Sequence, residues 1–107
     1  MTPDSFAIAQ ETIDGTLMLR ASGKFDRDTG LAIETKVKAH DGAGVVNLEG
    51  VEYISSSGIA HLVQLQTKHG ARLACPAECV RDTLSLAGIM RILTLHDDEA
   101  AARAAEV

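Results

Sequence analysis

Three consecutive hydroxyl side chains, Ser55, Ser56 and Ser57, stand between an apolar segment and a helical pattern. A serine in such a place has two kinds of chemistry open to it, attack on an acyl carbon or acceptance of a phosphoryl group. Attack requires a general base and oxyanion donors, whereas phosphorylation adds about −1.5 to −2 of charge to an accessible side chain. A structural role competes with both, because a serine that caps a helix contributes ~1 kcal/mol.

The surroundings of the serines do not favour a hydrolase. A Gly-x-Ser-x-Gly nucleophile elbow would occupy the same turn, but Ile54 stands where that motif has its first glycine before Ser56. The histidines fall on predicted helices or at their ends, and their spacing assigns none of them as a base: His40, His61, His69 and His96. A small hydrolase stays an alternative that predicts a pocket joining Ser56 to a histidine.

Other candidate sites have simpler structural interpretations. Gly42–Gly44 lacks the Lys-Ser/Thr ending of a phosphate-binding loop and precedes a predicted strand, not a helix. The carboxylate pairs Asp26 with Asp28 and Asp97 with Asp98 are typical of helix starts, where the dipole favours acids. No paired-carboxylate catalyst is predicted from them.

Composition limits the class of protein and of partner. The chain has 107 residues, 46% of them hydrophobic, and a net charge of −5. Scattered basic residues argue against nucleic acid or an anionic membrane as partner. No apolar run reaches the ~20 residues of a membrane span, and no basic region precedes an apolar stretch as in a signal peptide. Cys75 and Cys79 lack further zinc ligands, so we expect two small core residues in a soluble cytoplasmic protein without a metal site.

The N-terminal part predicts a β-hairpin. Phe6–Ile8 and Thr16–Arg20 alternate in polarity around the turn dipeptide Asp14–Gly15, although the length of the loop stays open. Gly23–Asp26 ends the second strand. A helix capped by Asp26 or Asp28 then runs to about Ala39, and Asp41–Gly44 breaks it. Two of its residues share the buried face and three stay largely in solvent: Ile33 and Val37, and Glu34, Lys36 and Lys38.

Extended and helical patterns alternate in the remainder of the chain. The predicted strands are short apolar runs: Val45–Leu48, Leu73–Cys75 and Ile92–Leu95. The predicted helices are one capped by Ser55 or Ser56 and ended by Gly70, one with Val80, Leu84 and Ala87 ended by Gly88, and an Ala-rich one opened by Asp97–Glu99. Alternation of this kind predicts one α/β domain over residues 1–107, with a mixed, mostly parallel sheet of about five strands and about four helices.

Three segments together resemble the STAS domain of bacterial anti-sigma factor antagonists: ASGKFDRDTGLAIETKV, VVNLEGVEYISSSGIAHLVQLQ and GARLACPAECVRDTLSLAGIMRILTLHDDEAA. The resemblance covers nearly the whole chain in the family's order. It implies a binding protein and not an enzyme, so no cofactor is expected. The implied partners are an anti-sigma factor that is also an ATP-dependent serine kinase with a histidine-kinase-like fold, and a metal-dependent serine phosphatase. Phosphorylation would switch off binding and so regulate transcription.

The resemblance also assigns roles to residues. Ser56 aligns with the phosphoacceptor, Gly58 with the motif glycine and Asp26 with the aspartate of the earlier segment. Two positions depart from the family pattern: Ser55 replaces the motif aspartate, and Lys24 replaces a commonly acidic residue. The first departure removes a negative charge beside the acceptor.

The sequence therefore predicts a partner-switching protein with Ser56 as its phosphorylation site. The residues expected at the partner surface are Asp26, Ser55, Ser57, Gly58, Ile59 and His61, the last of which could equally be an ordinary exposed helix residue. The alternative from another class is a STAS-like accessory subunit that docks on the ATPase of a lipid-transport ABC system. Its serine turn would serve docking without phosphate turnover.

Overall fold

The computed structural model describes residues 5–40 and 44–105 of the chain. The strands are β1 (Phe6–Ile13), β2 (Thr16–Phe25), β3 (Gly44–Ile54), β4 (Arg72–Ala74) and β5 (Leu95–His96). The helices are α1 (Arg27–Ala39), α2 (Ser56–His69), α3 (Glu78–Leu86) and α4 (Glu99–Ala104). The predicted order of elements is confirmed.

One mixed sheet organises the described residues. Its strand order is β1-β2-β3-β4-β5. β1 and β2 are antiparallel, whereas the pairs β2 with β3, β3 with β4 and β4 with β5 are all parallel. The predicted α/β class, with a mostly parallel sheet of five strands and four helices, is confirmed.

The hairpin loop has only two residues, Asp14 and Gly15. β1 continues beyond the predicted Phe6–Ile8 as far as Ile13, which pairs with Thr16. Asp14 and Gly15 both have positive φ, 50° and 80°, as a tight turn that matches the twist of its strands requires. The dipeptide thus closes the hairpin directly.

Alternation along the strands divides the core between the two faces of the sheet. Leu17 and Leu19 of β2 enter the larger core, into which α1, α2 and α3 send their apolar residues. Met18, which lies between them, enters a smaller core on the opposite face together with Ala102 of α4. Three helices therefore cover one face, and α4 packs on the other.

The parallel strand β3 is longer than predicted. Glu49 and Gly50 interrupt the apolar run that predicted Val45–Leu48, but β3 continues to Ile54 beside β2. The pairing of β2 with β3 shifts register twice, between Arg20 and Ser22 and between Gly23 and Lys24, and each time β3 contains the extra residue. The extension carries β3 up to the serine turn.

The prediction of a last strand over Ile92–Leu95 is wrong, because β5 contains only Leu95 and His96. The side chain of Gln66 in α2 holds the preceding residues outside the sheet. Its Nε2 donates to the carbonyl of Ile92 at 2.8 Å, and its Oε1 accepts from the N–H of Thr94 at 2.8 Å. An amide side chain replaces the strand pairing of this segment.

Two burial predictions also need correction. Glu34 was expected in solvent, but its side chain is only 19% exposed and lies 3.4 Å from His69 Nε2 at the contact between α1 and α2. The cysteines are free and half-buried, not core residues. Cys75 follows β4 with a φ of 51°, and Cys79 Sγ lies 3.2 Å from the carbonyl of Val51.

The other helix boundaries agree closely with the sequence. Gly70 ends α2 in the left-handed conformation, with φ 66°, and Asp98 caps α4 through the N–H of Ala101. The prediction that Ala87 belongs to the apolar stripe of α3 is wrong, because α3 ends at Leu86 and Ala87 is an exposed C-cap residue. Gly88 follows it with a φ of 74°, as a residue that ends a helix. Of the predicted break over Asp41–Gly44, residues 41–43 lie outside the described residues, and Gly44 is the first residue of β3.

Candidate functional site

The serine turn follows the carboxyl end of β3, where parallel sheets commonly place functional loops. Ser55 is the N-cap of α2, and its Oγ accepts from the N–H of Gly58 at 3.0 Å. Ser56 and Ser57 are the first two residues of the helix, and both are exposed. One serine of the three is therefore structural, and the other two face solvent.

Two contacts hold the turn against the end of β2. The N–H of Ser55 donates to the carbonyl of Phe25 at 3.0 Å. Gly58 lies directly under the same carbonyl, so that a Cβ at Gly58 would overlap the oxygen of Phe25. Glycine is required here by close approach of the two backbones.

Asp26 caps the neighbouring helix α1. Its Oδ1 accepts from the N–H of Asp28 at 3.0 Å and from that of Thr29 at 3.2 Å, and the hydroxyl of Thr29 accepts in turn from the N–H of Asp26 at 3.3 Å. This is a reciprocal capping box. The prediction of an acidic cap is confirmed, with Asp26 and not Asp28 as the capping residue.

Lys24 forms an ion pair with the same aspartate. Its Nζ lies 3.2 Å from Asp26 Oδ2, and both side chains are about a quarter exposed, at 24% and 26%. Burial by itself would raise the pKa of Asp26. The Thr29 N–H and the Lys24 ammonium outweigh it and hold that pKa below its usual range. The aspartate is therefore ionised and engaged on both oxygens.

Ile59 and His61 point toward the protein more than toward solvent. Ile59 is half-buried against the larger core. The ring of His61, also half-buried, packs on Gly30 of α1, where a Cβ would overlap it. Its Nδ1 is buried and has no hydrogen-bond partner among the described residues. His61 thus contributes to the contact between α1 and α2 instead of lying exposed on α2.

Apart from Asp26, the predicted partner-surface residues thus lie near one another along the chain, but they differ in how far they are exposed to solvent. Asp26, Ser55 and Gly58 surround the backbone of Phe25, while Ser56 and Ser57 form the exposed start of α2. Ile59 and His61 lie behind them. The solvent-facing part of the predicted surface is therefore smaller than the predicted set.

Sequence reasoning missed one further residue of this surface, Tyr53. Tyr53 is the register partner of Lys24 across β2 and β3, and its side chain is 41% exposed. It is one of only three aromatic residues in the chain. A rare aromatic side chain just before a candidate turn is a signal that could have identified it, because tyrosine is enriched at protein interfaces.

The geometry around the turn does not assemble a hydrolase. Among residues 5–40 and 44–105, Ser56 makes no side-chain hydrogen bond to a histidine. A cavity of about 220 Å³ does include His96, together with Gln66 and Arg72. It lies by the amino ends of β4 and β5, the opposite end of the sheet from Ser56.

Two other kinds of site were searched for in the described part of the chain. It holds no group of three or more His, Cys, Asp or Glu side chains arranged to bind a metal ion. Within the same residues, no helix has the length and apolar character needed to cross a bilayer.

Comparison with solved structures finds the same fold in anti-sigma factor antagonists. One from Mycobacterium paratuberculosis has a TM-score of 0.75 and 24% identity, with 96% of each chain covered. SpoIIAA in its unphosphorylated form has a TM-score of 0.67 and 19% identity, covering 89% of this chain and 92% of its own. The phosphorylated Bacillus cell-fate determinant SpoIIAA has a TM-score of 0.63 and 18% identity, covering 89% and 96%.

Sequence comparison identifies the family. Curated protein sequences yield no match to this chain. The family model of the STAS domain matches residues 7–102, which span the sheet from β1 to β5, the serine turn and most of α4. The chain belongs to the STAS domain family.

Proposed function

We propose that residues 1–107 form one STAS domain that acts as an anti-sigma factor antagonist. In this role the protein is a cytoplasmic binding protein without enzymatic activity of its own. Its partner is an anti-sigma factor with a histidine-kinase-like ATPase fold, and partner switching regulates transcription. The observation that carries the proposal is the serine turn, an exposed Ser56 held at the first position of α2 within a STAS fold.

Ser56 is the proposed phosphorylation site, and the geometry of its neighbours supports that choice. The hydroxyl of Ser55 is engaged as the cap of α2, whereas that of Ser56 is exposed. The helix would tolerate a phosphate at Ser56, because unpaired N–H groups and the dipole favour negative charge at its start. The added charge would act on the docked partner instead, and a serine phosphatase would remove it.

Mass spectrometry after incubation with the kinase and ATP tests the assignment. We expect one phosphate on Ser56 of the wild-type protein and none on the Ser56→Ala variant. Ser57→Ala is the matched control, because Ser57 is the adjacent exposed hydroxyl, and it should be phosphorylated like the wild type. Phosphate on another residue, or undiminished transfer to Ser56→Ala, would refute the assignment.

Binding measurements test the switch separately from the modification. Ser56→Asp should weaken binding of the anti-sigma factor, since it adds negative charge at the start of α2, and Ser56→Ala should preserve it. Isothermal titration calorimetry with the purified partner measures both affinities. Equal affinities for the two variants would count against a switch by charge.

A further inference from the structure

Asp26 is engaged on both carboxylate oxygens. Its Oδ1 accepts from the backbone N–H groups of Asp28 and Thr29, and its Oδ2 pairs with Lys24. A partner that displaced these contacts would have to uncap α1 or break the ion pair. The carboxylate is thus a structural group that also holds a cation, Lys24, beside the serine turn.

Lys24 can offer a polar contact to a partner. An ammonium has three donors, and Asp26 is the one acceptor that Lys24 has within the described part of the chain. The side chain is 24% exposed. Lys24 is therefore held in place by one contact and has donors left for a ligand.

Lys24 also lies next to the switch. It immediately precedes Phe25, whose carbonyl accepts the N–H of Ser55, and its register partner in β3 is the exposed Tyr53. Tyrosine is enriched at protein interfaces, and a lysine beside it adds a charge with which a partner can pair. The charged residues nearby in the chain are of mixed sign: Arg27 and Asp28 at the start of α1 and Glu52 before Tyr53 are all exposed.

We infer that Lys24 determines partner specificity at this surface, by pairing with a carboxylate side chain of the anti-sigma factor beside the ring of Tyr53. The inference rests on the proposed function. It also accounts for how a phosphate would act there. A charge of about −1.5 to −2 at Ser56 would repel the partner's carboxylate and compete with it for Lys24, so both effects would oppose docking.

The test uses the purified histidine-kinase-like ATPase domains encoded in the genome that carries this gene, titrated one at a time by calorimetry. For a domain that binds the wild-type protein, Lys24→Gln should weaken affinity about tenfold, the loss expected for one charged contact at an interface. Lys24→Glu should weaken it further by repulsion, and Lys24→Arg should retain it. Lys68→Gln is the matched control, because Lys68 is an exposed lysine in the last turn of α2.

Salt dependence gives a second readout that a merely structural role would not alter. Wild-type affinity should fall as salt is raised, and this slope should be shallower for Lys24→Gln. Equal affinity and slope for Lys24→Gln, Lys68→Gln and wild type would overturn the inference while leaving the proposed function standing. Failure of every domain to bind the wild type would overturn the proposed function, and the inference with it.

Discussion

At the scale of single residues, Ser55 and Ser56 have different roles although they are adjacent, because Ser55 precedes α2 and Ser56 is its first residue. Ser55 has an extended backbone and turns its hydroxyl back to the N–H of Gly58, which makes it the cap. Ser56 already belongs to α2, so its hydroxyl is released to solvent. Aspartate is as good a cap as serine. A serine at the position that the family resemblance aligns with an aspartate would therefore lack that charge and still keep the start of α2 intact.

Two substitutions at Ser55 separate the effect of the cap on stability from the effect of a negative charge at this position. Ser55→Ala should lower the free energy of unfolding by ~1 kcal/mol, because the N–H of Gly58 loses its acceptor. Ser55→Asp should leave stability nearly unchanged. Urea denaturation followed by circular dichroism measures both values, with Ser57→Ala as an exposed control in the same turn. Equal stability of Ser55→Ala and wild type would show that the cap contributes nothing.

At the scale of elements, a polar network attaches the first residue of α4 to the sheet, in addition to the packing of Ala102 in the smaller core. This helix has six residues, too few to be stable as an isolated helix. Arg20 of β2 donates from Nε and Nη2 to both carboxylate oxygens of Glu99, at 2.8 and 2.9 Å, and the buried Asn47 of β3 donates to Oε2 at 2.6 Å. The first residue of α4 is thus bound to two neighbouring strands at once.

This network predicts a dependence of stability on pH. The hydrogen bond from Arg20 lowers the pKa of Glu99, and it prevails over burial, which raises it. A carboxylate with a lowered folded-state pKa stabilises the fold above its unfolded-state pKa of about 4.3, and the contribution disappears as pH falls through the folded-state value. Glu99→Gln should therefore cost roughly 1–3 kcal/mol at pH 7, and progressively less toward pH 3.

Urea denaturation of the two proteins between pH 7 and pH 3 measures the difference. Glu78→Gln is the matched control, since Glu78 also begins a helix, α3, but is exposed. A difference between wild type and Glu99→Gln that does not shrink in acid would show that the charge of Glu99 is not what attaches α4.

The elements also show where sequence patterns suffice and where they fail. Asp26, Gly70 and Gly88 were predictable, because capping and left-handed helix ends are decided by neighbours along the chain. The apolar run at Ile92–Leu95 predicted a strand because no local signal reveals that Gln66, 26 residues earlier, would hold Ile92 outside the sheet. The contact of Gly30 with His61 likewise joins residues far apart in the chain, so no local pattern predicts it.

At the scale of the whole molecule, the hydrophobic cores on the two faces of the sheet differ in size. Among the residues that the structure describes, seventeen buried ones form the core under α1, α2 and α3, and four form the core under α4. The alternation of extended and helical patterns along the chain predicted the sheet and the order of its elements. It did not predict the division between faces, because a strand covered on both sides has the same apolar pattern whichever helix covers it.

The imbalance predicts a gradient of local stability. In native-state hydrogen exchange, amides of β2 and β3 should exchange slowest, since these central strands are paired on both edges and buried between layers. Amides of α4 should exchange through a lower-energy opening that leaves α1, α2 and α3 protected. Mass spectrometry or NMR resolves the elements, and exchange of α4 only together with β3 would contradict the gradient.

The tight fit of Gly58 beneath the carbonyl of Phe25 has a consequence for the kinetics of recognition. A turn held by backbone hydrogen bonds and close packing is already ordered before any encounter, so docking costs little conformational entropy. In the proposed function, the anti-sigma factor would associate with this surface without a slow ordering step, and the affinity would be set chiefly by the dissociation rate of the complex. Phosphorylation of Ser56 would then shorten the lifetime of the complex with the partner and leave the association rate nearly unchanged.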